Sequence, residues 1–208
     1  MAEVIAIETE RLTIRPWRVQ EADRFFDIHR RIEVVRGWDG TPMQQRDQAV
    51  ERIEGYRAAL AENPRFGAWA IVERSSGVPA GTVLLKPLPD GAGEIEIGWH
   101  LHPDRWGKGF AAEAAQATLE HGFADGLQEV WAVTQLDNHR SGRVCRRIGM
   151  RLLGVTDRWY HVPSLMFWAG ARPDQTPSLR PDRPAPAEAT SAQRASASAA
   201  SSAISRDS

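Results

Sequence analysis

The hydrophobic and polar positions of this chain change period repeatedly, and each change marks an element. Residues 11–15, Arg-Leu-Thr-Ile-Arg, alternate as a half-buried strand does, and Pro16 closes the run. Ala22, Phe25, Phe26 and Ile32 carry the spacing of a first helix, and Ala49, Ile53, Tyr56 and Leu60 that of a second, with loop chemistry at 37–42 between them. Three strands follow at 67–73, 78–86 and 94–101, separated by Ser-Ser-Gly and by a Pro/Gly-rich turn. The remaining pattern predicts a helix over 108–124, a strand over 130–134, a helix over 140–148, and strands around 151–158 and 164–168. The order β, α, α, β, β, β, α, β, α, β, β describes an α/β chain, with a mixed, mostly antiparallel central sheet and helices on both faces.

From residue 170 the pattern stops. The last 39 residues hold ten Ala, eight Ser and five Pro and no aromatic, too little apolar surface to offset ordering entropy. The expected division is a folded domain over 1–169 and a disordered Ala/Ser/Pro-rich tail over 170–208. The 26 basic and 27 acidic residues nearly cancel, which argues against a nucleic-acid partner. Of the basic residues 24 are arginines, so the two lysines, Lys86 and Lys108, stand out. A single cysteine, Cys145, forms no internal disulfide and points to a reducing cytoplasm. The N-terminal residues lack the basic and apolar regions of a secretory signal, and no apolar run has the length of a membrane span, so neither export nor a membrane is expected.

Residues 94–115 run from a strand through a glycine-rich turn into a helix with an apolar stripe at Ala111, Ala114, Ala115, Thr118, Leu119 and Phe123. The free N–H groups and positive dipole end of that helix meet the turn, which makes it a site for a phosphate or pyrophosphate. A P-loop is excluded because Lys108 is followed by Gly109 and not by a hydroxyl residue. A dinucleotide turn is excluded because His-Pro-Asp-Arg-Trp intervenes and the third glycine is absent. A turn that merely closes a strand–helix connection stays open at this point.

These residues resemble the GNAT superfamily of acyl-CoA-dependent N-acetyltransferases. The family's pyrophosphate segment, Gln/Arg-x-x-Gly-x-Gly/Ala, is matched by Trp106-Gly-Lys-Gly-Phe-Ala111, with Trp at the first position as in the Rim-type enzymes that acetylate ribosomal-protein N-termini and their small-molecule relatives. Residues 10–17 are similar to that subgroup's opening strand, 96–101 to its fourth strand, and 138–150 to the loop and helix after its fifth. The resemblance covers roughly residues 10–168 and implies the GNAT acyl-CoA N-acyltransferase fold.

It also implies a site. The backbone of Trp106, Gly107, Lys108, Gly109, Phe110 and Ala111 would hold the pyrophosphate of acetyl-CoA, the strand edge at Trp99, His100 and Leu101 would pair with the pantetheine arm, and Asn138 would bond that arm from the other side. Asn138 is equally suited to cap the following helix. Strand alternation puts Glu94, Glu96, Gly98, His100 and His102 on one face. Glu96 is the candidate general base, or orients a water that acts as one; pairing with an arginine is its structural alternative. Glu94 is expected nearer the solvated end. His100 either contacts the acceptor or packs, and with His102 alone it makes no metal site.

Many family members carry a tyrosine seven residues after the loop asparagine. Here that position is Cys145, expected as a buried packing thiol. Ser141 is the candidate that contacts the coenzyme sulfur or relays a proton; capping is its alternative. Trp38 lies in a loop that overhangs the acceptor site in the family, so it either shapes acceptor entrance or anchors the loop. The implied function is acetyl transfer from acetyl-CoA to a primary amine, a protein N-terminal α-amine or a small molecule, by direct attack in a ternary complex in a monomer or homodimer. A non-catalytic acyl-CoA-binding or regulatory module is the alternative, motivated by the missing tyrosine.

Overall fold

A computed structural model describes residues 6–36, 41–172 and 174–177. Its centre is an eight-stranded sheet in the order β1-β2-β3-β4-β5-β6-β8-β7. The strands are β1 (Ile7–Glu8), β2 (Leu12–Pro16), β3 (Gly67–Glu73), β4 (Pro79–Pro87), β5 (Ile95–Leu101), β6 (Glu129–Gln135), β7 (Arg151–Thr156) and β8 (Ser164–Gly170). Every neighbouring pair is antiparallel except β5 and β6.

Alternation along β3 places helices on both faces. Trp69 and Ile71 join the core under α4 (Phe110–Ala124) and α5 (His139–Arg147), while Ala70 and Val72 join Phe25, Ile28 and Ile53 under α1 (Ala22–His29) and α3 (Arg46–Glu62). Trp17 seals the second core and donates its indole N–H to Thr82 Oγ1 at 3.1 Å, so the bulky ring is buried with its polar atom satisfied.

Several boundaries differ from the expectation, each for a local reason. The helix expected to include Ile32 is two, because Arg31 is extended (φ −89°, ψ 117°) between α1 and α2 (Ile32–Val35), and Ile32 is exposed. Helix α4 starts at Phe110 because Gly109 sits at φ +83°, which no helical residue adopts. Strand β7 stops at Thr156, and the following segment folds over the sheet with Trp159 buried against Trp131. At the other boundary β8 includes Gly170, and the Ala171 N–H donates to the Gln128 carbonyl, so ordered pairing runs past 169; residues 178–208 lie outside the described residues. Among the described residues no helix is long and apolar enough to cross a membrane.

The functional consequence lies between β5 and β6. Strands β4 and β5 pair through seven positions, and β6 and β8 through seven, yet β5 and β6 share one registered pair, Glu96 with Trp131. Beyond it the two parallel strands part, leaving the backbone edges of 97–101 and 132–135 along a gap.

Candidate active site

A cavity of about 1100 Å³ occupies that gap and continues onto both sides of the sheet. Its walls include Glu96, Trp99, His100, Leu101, Trp106, Gly107, Gly109, Phe110, Ala111, Asn138 and Ser141, so residues scattered over 45 positions of sequence converge on one space. Lys108 is the exception in the turn: it does not line the cavity, and its carbonyl accepts from Arg11 Nη1 at 3.0 Å. Trp38 lies outside the described residues.

Positive φ at Gly107 (+76°) and Gly109 (+83°) turns the chain sharply into α4. The first closing bond of the helix runs from the Glu113 N–H to the Gly109 carbonyl, which leaves the preceding N–H groups without intrahelical acceptors. Glu113 ties the turn to the connection between β1 and β2: its carboxylate accepts from Thr9 Oγ1 at 2.6 Å and from Arg11 Nε at 2.7 Å, and these contacts hold its carboxyl below the ordinary range despite partial burial. The Trp106 indole N–H donates to the Leu101 carbonyl at 2.9 Å, locking the turn onto the end of β5.

On the opposite face of β5, Glu96 is only 6% exposed. The Tyr160 hydroxyl donates to its Oε2 at 2.5 Å, and Lys86, its cross-strand partner, brings Nζ to 3.6 Å of the same oxygen. Burial pushes the Glu96 carboxyl above the ordinary range, and Tyr160, Lys86 and the Val133 N–H act against that rise. The structural partner is therefore a lysine, one of two in the chain, and not an arginine. Glu94 also departs from expectation: it is 8% exposed, accepting from the Ala92 N–H and lying 3.8 Å from Arg158, because the turn before β5 folds back over it.

His100 is a packed residue on the cavity wall, edge-on to His29 at 4.9 Å between centroids. Burial lowers its pKa well below the ordinary value, with His29, Arg52 and Lys86 adding to the effect, so the ring is neutral at pH 7. His102 is clamped between Asp27 and Asp104. Among the described residues no group of three or more His, Cys, Asp or Glu side chains is placed to hold a metal.

Asn138 caps α5, its Oδ1 accepting from the Ser141 N–H at 3.1 Å, and it lines the cavity as well. The cap uses the carbonyl half of the amide and leaves the NH2 half for a ligand. Ser141, one turn in, reaches the same cavity. Cys145 is buried, and burial pushes its thiol up to about 12.

A family model described as an acetyltransferase (GNAT) domain matches residues 11–151. The chain belongs to the GNAT acetyltransferase family. Two relatives from Bacillus subtilis (strain 168), both named as uncharacterized N-acetyltransferases, agree. YnaD is 46% identical over 151 residues, 71% of this chain and 84% of its own, and YoaA is 31% identical over 156 residues, 74% and 88%. Among solved structures, Mycobacterium smegmatis RimJ in complex with CoA-disulfide shares the fold with a TM-score of 0.66 at 22% identity, covering 81% of this chain and 88% of that one. The mixed sheet is thus the GNAT fold, its neighbours include Rim-type ribosomal-protein acetyltransferases, and the protein is an acetyltransferase.

Within this GNAT site, sequence reasoning missed Tyr160. It stands 64 positions from Glu96 in a segment without a motif, and no local pattern links the two. The usable signal was chemical: a carboxylate on a central strand needs donors, and Tyr160 is one of only two tyrosines in the chain.

Proposed function

We propose that this protein transfers an acetyl group from acetyl-CoA to a primary amine by direct attack in a ternary complex. One observation carries the reading: a single cavity crosses the sheet where β5 and β6 part, with an anion-binding turn on one side and the buried carboxylate of Glu96 on the other.

The turn suits the coenzyme. Free N–H groups at 107–111 would take the pyrophosphate, and the unpaired edge of β5 near Trp99, His100 and Leu101 would extend the sheet with the amide-bearing pantetheine arm. The Leu101 carbonyl already accepts from Trp106, so the open positions on that edge lie before it. Asn138 would donate its NH2 to the arm from α5.

The amine arrives from the face carrying Glu96, His100 and Tyr160. Glu96, directly or through a water, accepts a proton as the nitrogen forms its bond to the acetyl carbon. The carbon–sulfur bond then breaks, and Ser141 supplies the departing thiolate with a proton, relayed from water. Tyr160 and Lys86 hold the ionised form of Glu96. An α-amine, with a pKa of about 7.7–8.0, requires less help than a lysine amine at about 10.4.

Acetyl-CoA titrated calorimetrically into the full chain tests the first step, and free thiol release over N-terminal peptides, polyamines and amino-acid amines tests the second. Binding followed by thiol release with one amine class is the expected result. No binding at millimolar coenzyme overturns the reading, and binding without release for any amine favours an acyl-CoA-binding module.

A further inference from the structure

Lys86, one of only two lysines in the chain, holds Glu96 loosely. Its Nζ lies 3.6 Å from Glu96 Oε2, beyond the roughly 2.7–3.2 Å of a hydrogen bond, and 5.7 Å from the centroid of the Tyr160 ring. Among the described residues Glu96 is the only carboxylate it pairs with, so an ammonium with three N–H donors keeps most of them for another acceptor. The Lys86 side chain is 38% exposed where that of Glu96 is 8%, and both line the cavity. Tyr160 also addresses Oε2, so Oε1 is the oxygen of Glu96 that neither side chain occupies.

The charge around this pair does not suit a second cation. Burial comes first in lowering the pKa of His100, and His29, Arg52 and Lys86 lower it further, with no carboxylate of the described residues offsetting them. The potential on this face between Glu96 and His100 is therefore positive, and Gly98 puts no side chain between the two. A polyamine that sets one nitrogen at Glu96 carries its next charge into that positive region. An α-amino carboxylate carries a negative group there instead. Its two charges sit on neighbouring atoms of one carbon, and Glu96 and Lys86 present the opposite pair 3.6 Å apart. On the same face Leu84, the cross-strand partner of Gly98, adds apolar wall, and Val162, 51% exposed, lines the cavity just past Tyr160.

We propose that the acceptor is a free α-amino acid with an apolar side chain, and that Lys86 selects it by pairing with its carboxylate while Glu96 Oε1 meets its amine. That assignment rests on the acetyl-CoA reading. The amine proton passes to Glu96 as the nitrogen bonds to the acetyl carbon, the carbon–sulfur bond breaks, and the products are the N-acetyl amino acid and CoA. A carboxylate on Lys86 also draws the ammonium away from Glu96, which makes the base stronger when this acceptor is bound. A peptide N-terminus offers Lys86 only a neutral carbonyl, and a plain amine offers it nothing.

The test measures thiol release from acetyl-CoA by the full chain with alanine, leucine and phenylalanine, with their decarboxylated counterparts ethylamine, isopentylamine and phenethylamine, and with spermidine and alanyl and leucyl tripeptides. Acceptor concentrations are expressed as free amine, which removes differences in amine pKa. For at least one pair kcat/KM is expected to be about tenfold higher or more for the amino acid, the worth of one charge-assisted contact. Lys86→Met is expected to bring that ratio close to one, and Lys86→Arg to keep it above one. Loss of support for the ionised Glu96 in Lys86→Met slows every acceptor alike and cancels in the ratio. A wild-type ratio at or below one for all three pairs overturns the inference without any substitution, as does a higher kcat/KM for the tripeptides or spermidine. A ratio that survives in folded Lys86→Met also overturns it. Absence of acetyl-CoA binding is a distinct result, which overturns the coenzyme reading and the inference with it.

Discussion

The Tyr160 hydroxyl donates to Glu96 Oε2 at 2.5 Å, joining the segment between β7 and β8 to the strand where the sheet divides. That bond favours the ionised carboxylate in a place where burial favours the neutral acid. The phenol is pushed well above its ordinary pKa, first by burial and then by the Glu96 charge, so it stays a donor throughout the working range.

Tyr160→Phe therefore has a signed effect on pH dependence. In its proposed role as base Glu96 works as a carboxylate; its pKa already lies above the ordinary value, and loss of the phenol hydrogen bond raises it further. The acidic limb of kcat/KM is expected to move to higher pH, because the Tyr160 hydrogen bond is one of the contacts that act against the rise burial imposes. Phenylalanine keeps the ring, so a purely packing role leaves the limb in place. Measured pH–rate profiles of the two proteins decide.

Glu96→Gln separates chemistry from binding. With Glu96 as the proposed proton acceptor, its loss is expected to lower kcat by roughly 10²–10⁴-fold, whereas CoA affinity, which the proposed function assigns to the turn and α5, is expected to stay near wild type. The raised pKa also means that folding is opposed by the charge at neutral pH, so the amide variant is expected to melt no lower than the parent. A large loss of CoA affinity, or unchanged kcat, contradicts this role.

Gly109→Ala places a side chain at φ +83°, with its Cβ 3.4 Å from Arg11 Nη2. A left-handed non-glycine residue costs about 1–2 kcal/mol, which corresponds to a drop in Tm of about 2–8 °C for a domain of this size. The N–H groups of the turn shift with it, so CoA binding weakens in parallel. Differential scanning calorimetry and ligand titration read the two effects, and a variant unchanged in both contradicts the anion-turn assignment.

Cys145 is expected to be chemically silent. With its thiol pushed up to about 12 and its side chain buried, a disulfide reagent at pH 8 modifies it only as the protein unfolds. Cys145→Ala retains turnover with a small loss of Tm. Rapid labelling of the native protein, or loss of turnover without loss of stability, gives this position a chemical role.

Features written in short-range spacing were legible before any coordinates. The strand at 67–73, the stripe of α4 and the alternation of Glu96, Gly98 and His100 against Ile95, Ile97 and Leu101 follow from periods of 2 and 3.6, and the glycine pair 107/109 marked the turn into α4. Where one residue's backbone broke the period, as at Arg31 and Gly109, boundaries moved by a few positions.

What the sequence determined by itself is the succession of the main elements, without the short strand β1 (Ile7–Glu8) and the break before α2, and the mixed sheet they imply, because each depends on neighbours within a few residues. Tertiary structure alone decided that β5 and β6 part after a single registered pair, that Glu94 is covered, and that Lys86 and Tyr160 both meet Glu96. Those facts depend on strand register and on a loop folding across the sheet, and no local period encodes a contact between side chains ten or 64 positions apart.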